Sequence, residues 1–397
     1  MRRRSAIAFP LVLVALGAAG CGGSGKDGGL GGSGEAVPQV GARGSQAGAA
    51  TQLGFPSFAT KNTTRIGGAD PAADAAGVAR AVFPATSPDT RPDAVALIDA
   101  RDWRAGVAGA VLAAAPLRAA ILLSNGRSLP AASADALRAL SPKGAAAAGG
   151  AQVVRVGDAA IPPGLRTTQV TGRDPFALAR ALDAFQSAAR GSASDRVVVA
   201  SADDAAYAMP AAAWAAKAGD PVLFVRRDAI PAETRAALVA HNQPHIYVLG
   251  PPEAISDQTV TELEALGTVK RIGGPDPAAS SVAFARYIDP NFGWGVVDPG
   301  HGLVFARVDR PLDAAAAALL SASGSYGPLL VVGAPDALDR PLEQYLLDIQ
   351  PGYSKDPVRG VYNHGWIVGD DRAISVAMQS RIDSLLEIRK FAASNSP

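Results

Sequence analysis

Three short segments of this chain repeat one another, and their spacing constrains the fold more than any other feature. They read RIGGADP at 65–71, QVTGRDP at 169–175 and RIGGPDP at 271–277. The interval between them is close to the size of a small domain and much longer than a solenoid repeat. The sequence therefore predicts three consecutive units, and we call the three segments heads.

Each head is followed by the same succession of elements. An aspartate before a proline, at Asp70, Asp174 and Asp276, is typical of a helix N-cap with proline in the first turn. A β-branched run, an alanine-dominated helix, a second apolar run, an amphipathic helix and a third apolar run follow. Alternating helices and short apolar runs indicate parallel sheets covered by helices. The predicted fold class is α/β, with three parallel-sheet modules.

The three units differ near their ends. In the first unit, prolines at 162 and 163 leave no room for the helix that 257–266 supplies in the second. The third unit has longer loops at 291–302 and 350–363, and long loops often carry function or domain packing. The chain enters each head directly from the preceding unit. Each head strand is therefore expected either to complete the preceding sheet, so that the first head completes the third, or to belong to its own unit.

The N-terminus has the pattern of an export signal. Three arginines at 2–4 precede an apolar run at 6–16, which is shorter than the ~20 residues of a spanning helix, and small residues lead to Cys21. The segment resembles a bacterial lipobox, which implies lipidation of Cys21, the only cysteine, and a membrane anchor on the extracytoplasmic side. The alternative is an ordinary secretory signal with an incidental cysteine.

These patterns predict an organisation along the chain. We expect a lipoprotein signal peptide at 1–20 and a flexible Gly/Ser-rich tether at 21–63, because residues 22–50 have almost no side chain large enough to pack. The three α/β repeats are expected at 64–167, 168–269 and 270–391.

Motifs that carry chemistry are sparse. His241 and His245 have the spacing of helical metal ligands, but Pro244 interrupts the helix between them, so no metal site is predicted. The acidic pairs at 203–204 and 370–371 follow strands, where such residues cap the next helix more often than they catalyse. The chain contains no serine-nucleophile elbow and no complete nucleotide-binding fingerprint. We therefore expect no enzyme, no catalytic residue and no cofactor.

The charge pattern bears on the partner. The formal net charge is +1 and no basic patch with interleaved aromatic residues occurs, which argues against a nucleic acid. Guanidinium groups bind carboxylates and phosphates bidentately, so arginines are the candidate residues for binding an anionic polymer. Ordinary surface arginines are an equally weighted alternative. The candidates, in or beside the heads or after a central strand, are Arg65, Arg173, Arg271, Arg226 and Arg227.

The heads, the apolar runs at 121–123, 223–224 and 329–331, and the turns GPPEAIS (250–256) and GDDRAIS (369–375) together resemble a known family. They are similar to the cell wall-binding repeat 2 family of Gram-positive surface proteins, over 64–389. The resemblance implies Rossmann-like modules in a compact pseudo-threefold arrangement that attach non-covalently to anionic wall polymers.

The expected function is a non-catalytic cell-envelope lipoprotein that binds wall glycopolymer or another envelope component. The alternative is a solute-binding lipoprotein with a small ligand in a cleft between modules.

Overall fold

The computed structural model describes residues 57–390, except 325, 354, 355 and 357–359. The predicted signal peptide, Cys21 and most of the predicted tether lie outside the described residues. Within them, no helix combines the length and apolarity that crossing a membrane would require.

Fifteen strands and eleven α-helices follow one another in the described part of the chain. The first ones are β1 (Ser57–Ala59), β2 (Thr63–Ile66), α1 (Pro71–Val82), β3 (Val95–Asp99), α2 (Trp103–Gly109), β4 (Ala120–Ser124), α3 (Ala131–Leu140) and β5 (Val153–Val156). The middle ones are β6 (Thr167–Val170), α4 (Pro175–Arg190), β7 (Arg196–Ser201), α5 (Ala205–Ala218), β8 (Val222–Val225), α6 (Ala232–Ala240), β9 (His245–Leu249) and α7 (Asp257–Glu264). The last ones are β10 (Thr268–Ile272), α8 (Pro277–Arg286), β11 (Gly302–Arg307), α9 (Pro311–Ala322), β12 (Leu329–Val332), α10 (Arg340–Asp348), β13 (Gly352–Tyr353), β14 (His364–Val368), α11 (Val376–Leu386) and β15 (Arg389–Lys390).

Three main sheets are built from these strands, with the orders β4-β3-β5-β6, β8-β7-β9-β10 and β12-β11-β14-β2-β1. Every pairing in them is parallel except the β1–β2 pair at the edge of the third sheet. We call each sheet with its covering helices a module: α1 to α3 cover the first, α4 to α7 the second, and α8 to α11 the third. The predicted α/β class with three Rossmann-like modules is confirmed.

Each head strand lies in the sheet of the preceding module. Strand β6 pairs with β5, with Val170 opposite Val156, and β10 pairs with β9 in the same way. Strand β2 pairs with β14 of the third module, with Ile66 opposite Val368. The first of the two expected strand arrangements is therefore present, and the first head completes the third sheet. The sheets are accordingly offset from the sequence repeats 64–167, 168–269 and 270–391.

The helix after each head begins at the predicted aspartate. Asp276 accepts a hydrogen bond from the amide of Ala279 at 2.7 Å, and Asp174 does the same from Ala177 at 2.8 Å. Asp70 caps α1 through the amides of Ala72 and Ala73. Proline is in the first turn of all three helices, where its missing N–H costs nothing.

The alanine-dominated helices meet at the centre of the described structure. Helix α9 packs against α5 and α2, and α2 packs against α5, so the three equivalent helices touch one another. The run from Ala314 to Ala318 is completely buried, and Ala315 lies so near Gly106 that a Cβ there would be 3.1 Å away. Small side chains let the helix backbones approach closely, which explains why alanine dominates these three helices.

Candidate functional site

Arg65, the first of the candidate arginines, is a buried structural residue. Its guanidinium donates to the carbonyl oxygens of Gly369, Asp370 and Ile374 at 2.9, 2.7 and 2.6 Å, and its Nε donates to Gln379. Its exposed fraction is 3%, and burial lowers the pKa of the guanidinium from its usual value. These bonds attach strand β2 to the turn that follows β14, so they hold the first head on the third module.

Arg271 makes the same contacts one module earlier. It donates to the carbonyl oxygens of Gly250 and Ile255 at 2.9 and 2.8 Å, and to Asp257 at 3.1 Å. In the first sheet the equivalent position is Gln169, whose amide donates to the carbonyl oxygen of Gly157 at 2.7 Å. The position therefore joins a head strand to the preceding module in all three sheets, and the terminal nitrogens of Arg65 and Arg271 donate within the protein.

The remaining candidates lie on the second module, at the carboxyl end of its sheet. Arg226 follows β8, is exposed, pairs with Asp203 at 3.1 Å and lies over the ring of Phe176, with its guanidinium carbon 5.4 Å from the ring centroid. Arg227 is exposed and pairs with Asp228. Arg173 immediately precedes Asp174, the N-cap of α4, and its side chain is 75% exposed.

A fourth arginine joins this face. Arg173 and Arg180 both bind Glu233, in the first turn of α6, at 2.7 Å each. Arg173 lies before the N-cap of α4 and Arg180 lies in its second turn, so no helical spacing in the sequence could have identified Arg180. We call Arg173, Arg180, Arg226 and Arg227 the arginine face of the second module.

Every arginine of the arginine face is ion-paired, but the pairs are exposed to solvent. Each of its four guanidinium groups has a carboxylate partner, and the four arginine side chains are 49–75% exposed. Exposed ion pairs contribute about 0–1 kcal/mol, so an anion of a ligand can replace such a carboxylate partner at little cost. Polymer binding by any of the five predicted arginines remains a prediction, and the exposed ones are geometrically open to it.

The acidic pairs that follow strands act on the protein itself. Asp204 caps α5 by accepting from the amide of Ala206 at 3.1 Å, while its neighbour Asp203 pairs with Arg226. Asp370 accepts from the amide of Ala373 and from the side chain of Arg372. Asp204 therefore caps the next helix, as expected, whereas Asp370 does not, because Ser375 is the N-cap of α11.

The histidines do not converge. His241 is buried, with one ring nitrogen 2.8 Å from Asp183 and the other 2.7 Å from the carbonyl oxygen of Ser194. Burial lowers the pKa of His241, but the bond to Asp183 and its charge outweigh that effect and raise it. Two acceptors on one ring favour the charged imidazolium, a structural role. In the described part of the chain, no group of three or more His, Cys, Asp or Glu side chains is arranged to hold a metal ion.

A groove lies where the first head meets the third module. It is lined by Phe58, Arg65, the glycines 67 and 68, the aspartates 370 and 371, and Val376, and its volume is about 420 Å³. That volume is within the range of small-molecule sites. Arg65 already donates four hydrogen bonds within the protein, so the groove presents mainly apolar surface and the two aspartates.

The fold defines a class before any comparison: an α/β protein with three interlocked parallel-sheet modules and an exposed arginine face on the second. Residues 169–260 match the family described as Cell wall binding domain 2 (CWB2). The predicted family resemblance is confirmed, and this segment is similar to a cell wall binding domain. The family is one of the cell envelope, outside the cytoplasm.

Two solved structures from Clostridium difficile share the fold. Cwp8 is 17% identical with a TM-score of 0.62, and Cwp6 is 14% identical with a TM-score of 0.63. The likeness covers 82% and 81% of this chain but 52% and 48% of theirs, so the chain spans about half the length of these proteins. Among curated proteins, no sequence matches significantly.

Proposed function

We propose that this chain is a non-catalytic lipoprotein of the cell envelope that binds an anionic wall polymer through the arginine face of its second module. One observation carries the proposal: Arg173, Arg180, Arg226 and Arg227 all lie inside the segment 169–260 that matches the CWB2 family. Guanidinium groups suit phosphate or carboxylate groups spaced along a polymer, and Phe176 adds a ring against which Arg226 is held.

The face suits a repetitive ligand better than a single small anion. Its arginines are distributed over the start of α4 and the turn after β8, and a chain of anionic groups can contact several of them at once. Each contact is weak by itself, and linking several weak contacts raises the affinity. The proposal therefore predicts binding that weakens steeply as salt is added.

The test is retention of the full-length chain on purified cell walls, with the anionic polymer present or chemically removed. The variant Arg173→Gln/Arg180→Gln/Arg226→Gln should bind at least about tenfold more weakly, equal to roughly 1.4 kcal/mol. The matched control Arg127→Gln/Arg372→Gln/Arg381→Gln removes three exposed, ion-paired arginines from the other modules. Equal losses in both variants, or retention on polymer-free walls, would contradict the proposal.

The membrane anchor is a separate part of the proposal. The lipobox-like sequence at Cys21 supports diacylation, which supplies the hydrocarbon that holds the chain at the membrane. Cys21→Ser should move the protein from the membrane fraction to the soluble fraction. A variant that stays on the membrane at unchanged mass would contradict the lipid anchor without affecting the wall-binding proposal.

The groove of about 420 Å³ favours a second candidate, capture of a small ligand between the first head and the third module. Its aspartates would select a cationic solute with an apolar part that packs on Phe58 and Val376. Thermal-shift measurements with small cationic solutes test it. Asp371→Asn should abolish any stabilisation they cause, and the arginine-face variant should leave it unchanged.

A further inference from the structure

The first module lacks a helix that the other two have. Helix α7 connects β9 to the head strand β10, and α11 follows β14 at the same point of the third module. In the first module the connection from β5 to β6 is the non-helical stretch 157–166, with Pro162 and Pro163 at its centre. The remainder of the module follows the common plan, so one covering element is missing from it.

Contacts in the other modules show where this helix packs. Arg235, the fourth residue of α6, pairs with Glu262 of α7 at 3.8 Å. Glu343, the fourth residue of α10, pairs with Arg381 of α11. The charges are reversed between the two modules, but the position is the same. The fourth residue of α3 is Ala134, which has no charge to offer a neighbouring helix.

A groove occupies this place in the first module. Ala134 lines it, together with Leu129, Leu137, Pro142, Pro162 and Leu165, and its volume is about 390 Å³. Ile161 beside it is 70% exposed, whereas Ile255 and Ile374, at the corresponding turns of the other modules, are fully buried. Leu129, Ala134 and Leu165 are only half-buried, so part of the apolar face that α7 and α11 cover elsewhere is open to solvent.

The rim of the groove is basic. Arg138 lines it with a side chain that is 76% exposed, and its one carboxylate partner is Asp135 on the same helix. Arg91 donates to Ser141 and Arg166 donates to Gly150, so these two guanidinium groups have neutral partners. Lys143, next to the lining residue Pro142, pairs with Asp93. On or next to the lining residues there are thus four positive groups and two carboxylates, and this excess of positive charge is complementary to an acidic partner.

We propose that this groove is the docking site for an amphipathic helix of a partner protein, with an apolar ridge and an acidic flank, seated as α7 is seated in the second module. Helix α7 itself has this character, because Leu263 is buried and Asp257, Glu262 and Glu264 supply negative charge. The recognition is that of a helix laid in an apolar groove, with anchors one turn apart. The site is separate from the arginine face and does not depend on the proposed wall binding.

The probe for the test is a fluorescent peptide with the sequence of residues 254–267, constrained as a helix by a hydrocarbon staple on its polar side. The constraint is needed because a peptide of this length forms little helix alone. Fluorescence anisotropy with the full-length chain should give saturable binding. Replacing Val260 and Leu263 of the peptide by serine should abolish it, because the apolar ridge is lost.

Variants of the protein decide whether the groove is the site. Ala134→Trp fills the groove and should weaken binding at least about tenfold, while Arg138→Glu should weaken it severalfold and reduce its dependence on salt. Ala184→Trp, at an exposed alanine of α4, is the matched control and should bind the peptide normally. No saturable binding, or binding that Ala134→Trp leaves unchanged, would overturn the proposal.

Other occupants give different results. Self-association of the full-length chain that disappears in Ala134→Trp would mean that a second copy fills the groove. Loss of wall-polymer retention in Ala134→Trp, with retention intact in the arginine-face variant, would mean that the groove binds polymer. Either result would overturn the assignment to a partner's helix.

Discussion

The second and third modules meet through aromatic rings, whereas the third and first modules meet through buried charges. We call these two contacts the aromatic seam and the charged seam. In the aromatic seam, Phe292 stacks on Tyr247 with ring centroids 3.7 Å apart. The ring centroid of Trp214 lies 4.4 Å from that of Phe292 and 5.4 Å from that of Trp294. Trp214 and Tyr247 belong to the second module, and the other two rings come from the loop 291–302 of the third. That loop therefore serves module packing, one of the two roles that long loops indicated.

Lys217 extends the aromatic seam. Its ammonium group is 4.9 Å from the ring centroids of Trp214, Trp294 and Tyr326, and burial lowers its pKa. Cations over aromatic faces are attracted to the ring quadrupole. The ring–ring contacts of this seam do not depend on protonation, whereas the cation–π contacts of Lys217 require its charged form.

The seam between the third and first modules has a different basis. Arg310 precedes α9 and binds Asp313 of the same helix and Asp74 of α1, both at 2.6 Å. Both carboxylates are completely buried. Burial and the neighbouring Asp313 raise the pKa of Asp74 from 3.8 to about 8. One guanidinium thus serves two carboxylates that share a proton at neutral pH.

The comparison shows that equivalent seams need not use equivalent interactions. Position 74 is occupied by Leu178 in the second unit and by Ser280 in the third, so the sequence repeat is not preserved at the seam. The side chain of Ser280 still accepts a hydrogen bond from the amide of Gly274 in its head, as the side chain of Asp74 accepts one from the amide of Gly68. The first head joins the third sheet at the charged seam, and this seam contains the Asp74–Arg310–Asp313 cluster. We expect the stability that the charged seam provides to depend on pH. We expect the stability that the aromatic seam provides to fall when a buried ring is truncated.

The largest effect is expected from Arg310→Met. The change leaves two buried carboxylates without a positive partner, and breaking a buried ion pair typically costs about 3–5 kcal/mol. The free energy of unfolding from urea titration measures it. Arg372→Met, which removes an exposed pair with Asp370, is the control and should cost under about 1 kcal/mol. If Arg310→Met lowered the free energy of unfolding as little as the control does, the charged seam would not hold the first and third modules together.

Phe292→Ala should cost nearly as much, about 3 kcal/mol, because it removes a buried ring from the aromatic seam and leaves a cavity. The same urea titration gives the value. Val297→Ala changes an exposed residue in the same loop and should cost under about 0.5 kcal/mol. If Phe292→Ala were neutral, the loop would contribute no stability and its length would need another explanation.

The pH dependence separates the seams further. A carboxyl with a higher pKa in the folded chain binds its proton more tightly when folded, so folding stability falls as pH rises from about 4 to about 8. Asp74→Asn keeps the shape and removes the titration, and its stability should fall less over this interval than that of the unmodified chain. Phe292→Ala should have the unmodified slope. Parallel curves for Asp74→Asn and the unmodified chain would rule out this role for Asp74.

The smallest effect is expected away from both seams. Asp276→Ala removes the N-cap of α8 and should cost about 1 kcal/mol in the free energy of unfolding. Asp276→Asn retains the acceptor and should cost less. Lost wall binding at an unchanged melting temperature would instead make this head a binding site.

Much of the fold was predictable because it follows from local patterns. The caps at the three Asp-Pro pairs, the apolar strands and the alanine helices all occur at their predicted positions, since capping and burial are determined by neighbouring residues. The candidate site was less predictable. The sequence does not reveal that Arg65 and Arg271 are engaged with carbonyl groups of another element, or that Arg180 shares Glu233 with Arg173. Those contacts join residues 16 to 309 positions apart along the chain.

The sequence by itself determined the number of units, their class, and the absence of a helix near Pro162 and Pro163, because repeats, periodicity and proline act over a few turns of chain. Only the tertiary structure decided that the first head joins the third sheet through Arg65. It also decided that one seam is aromatic and another charged, because burial and pKa depend on which side chains from distant modules are brought together.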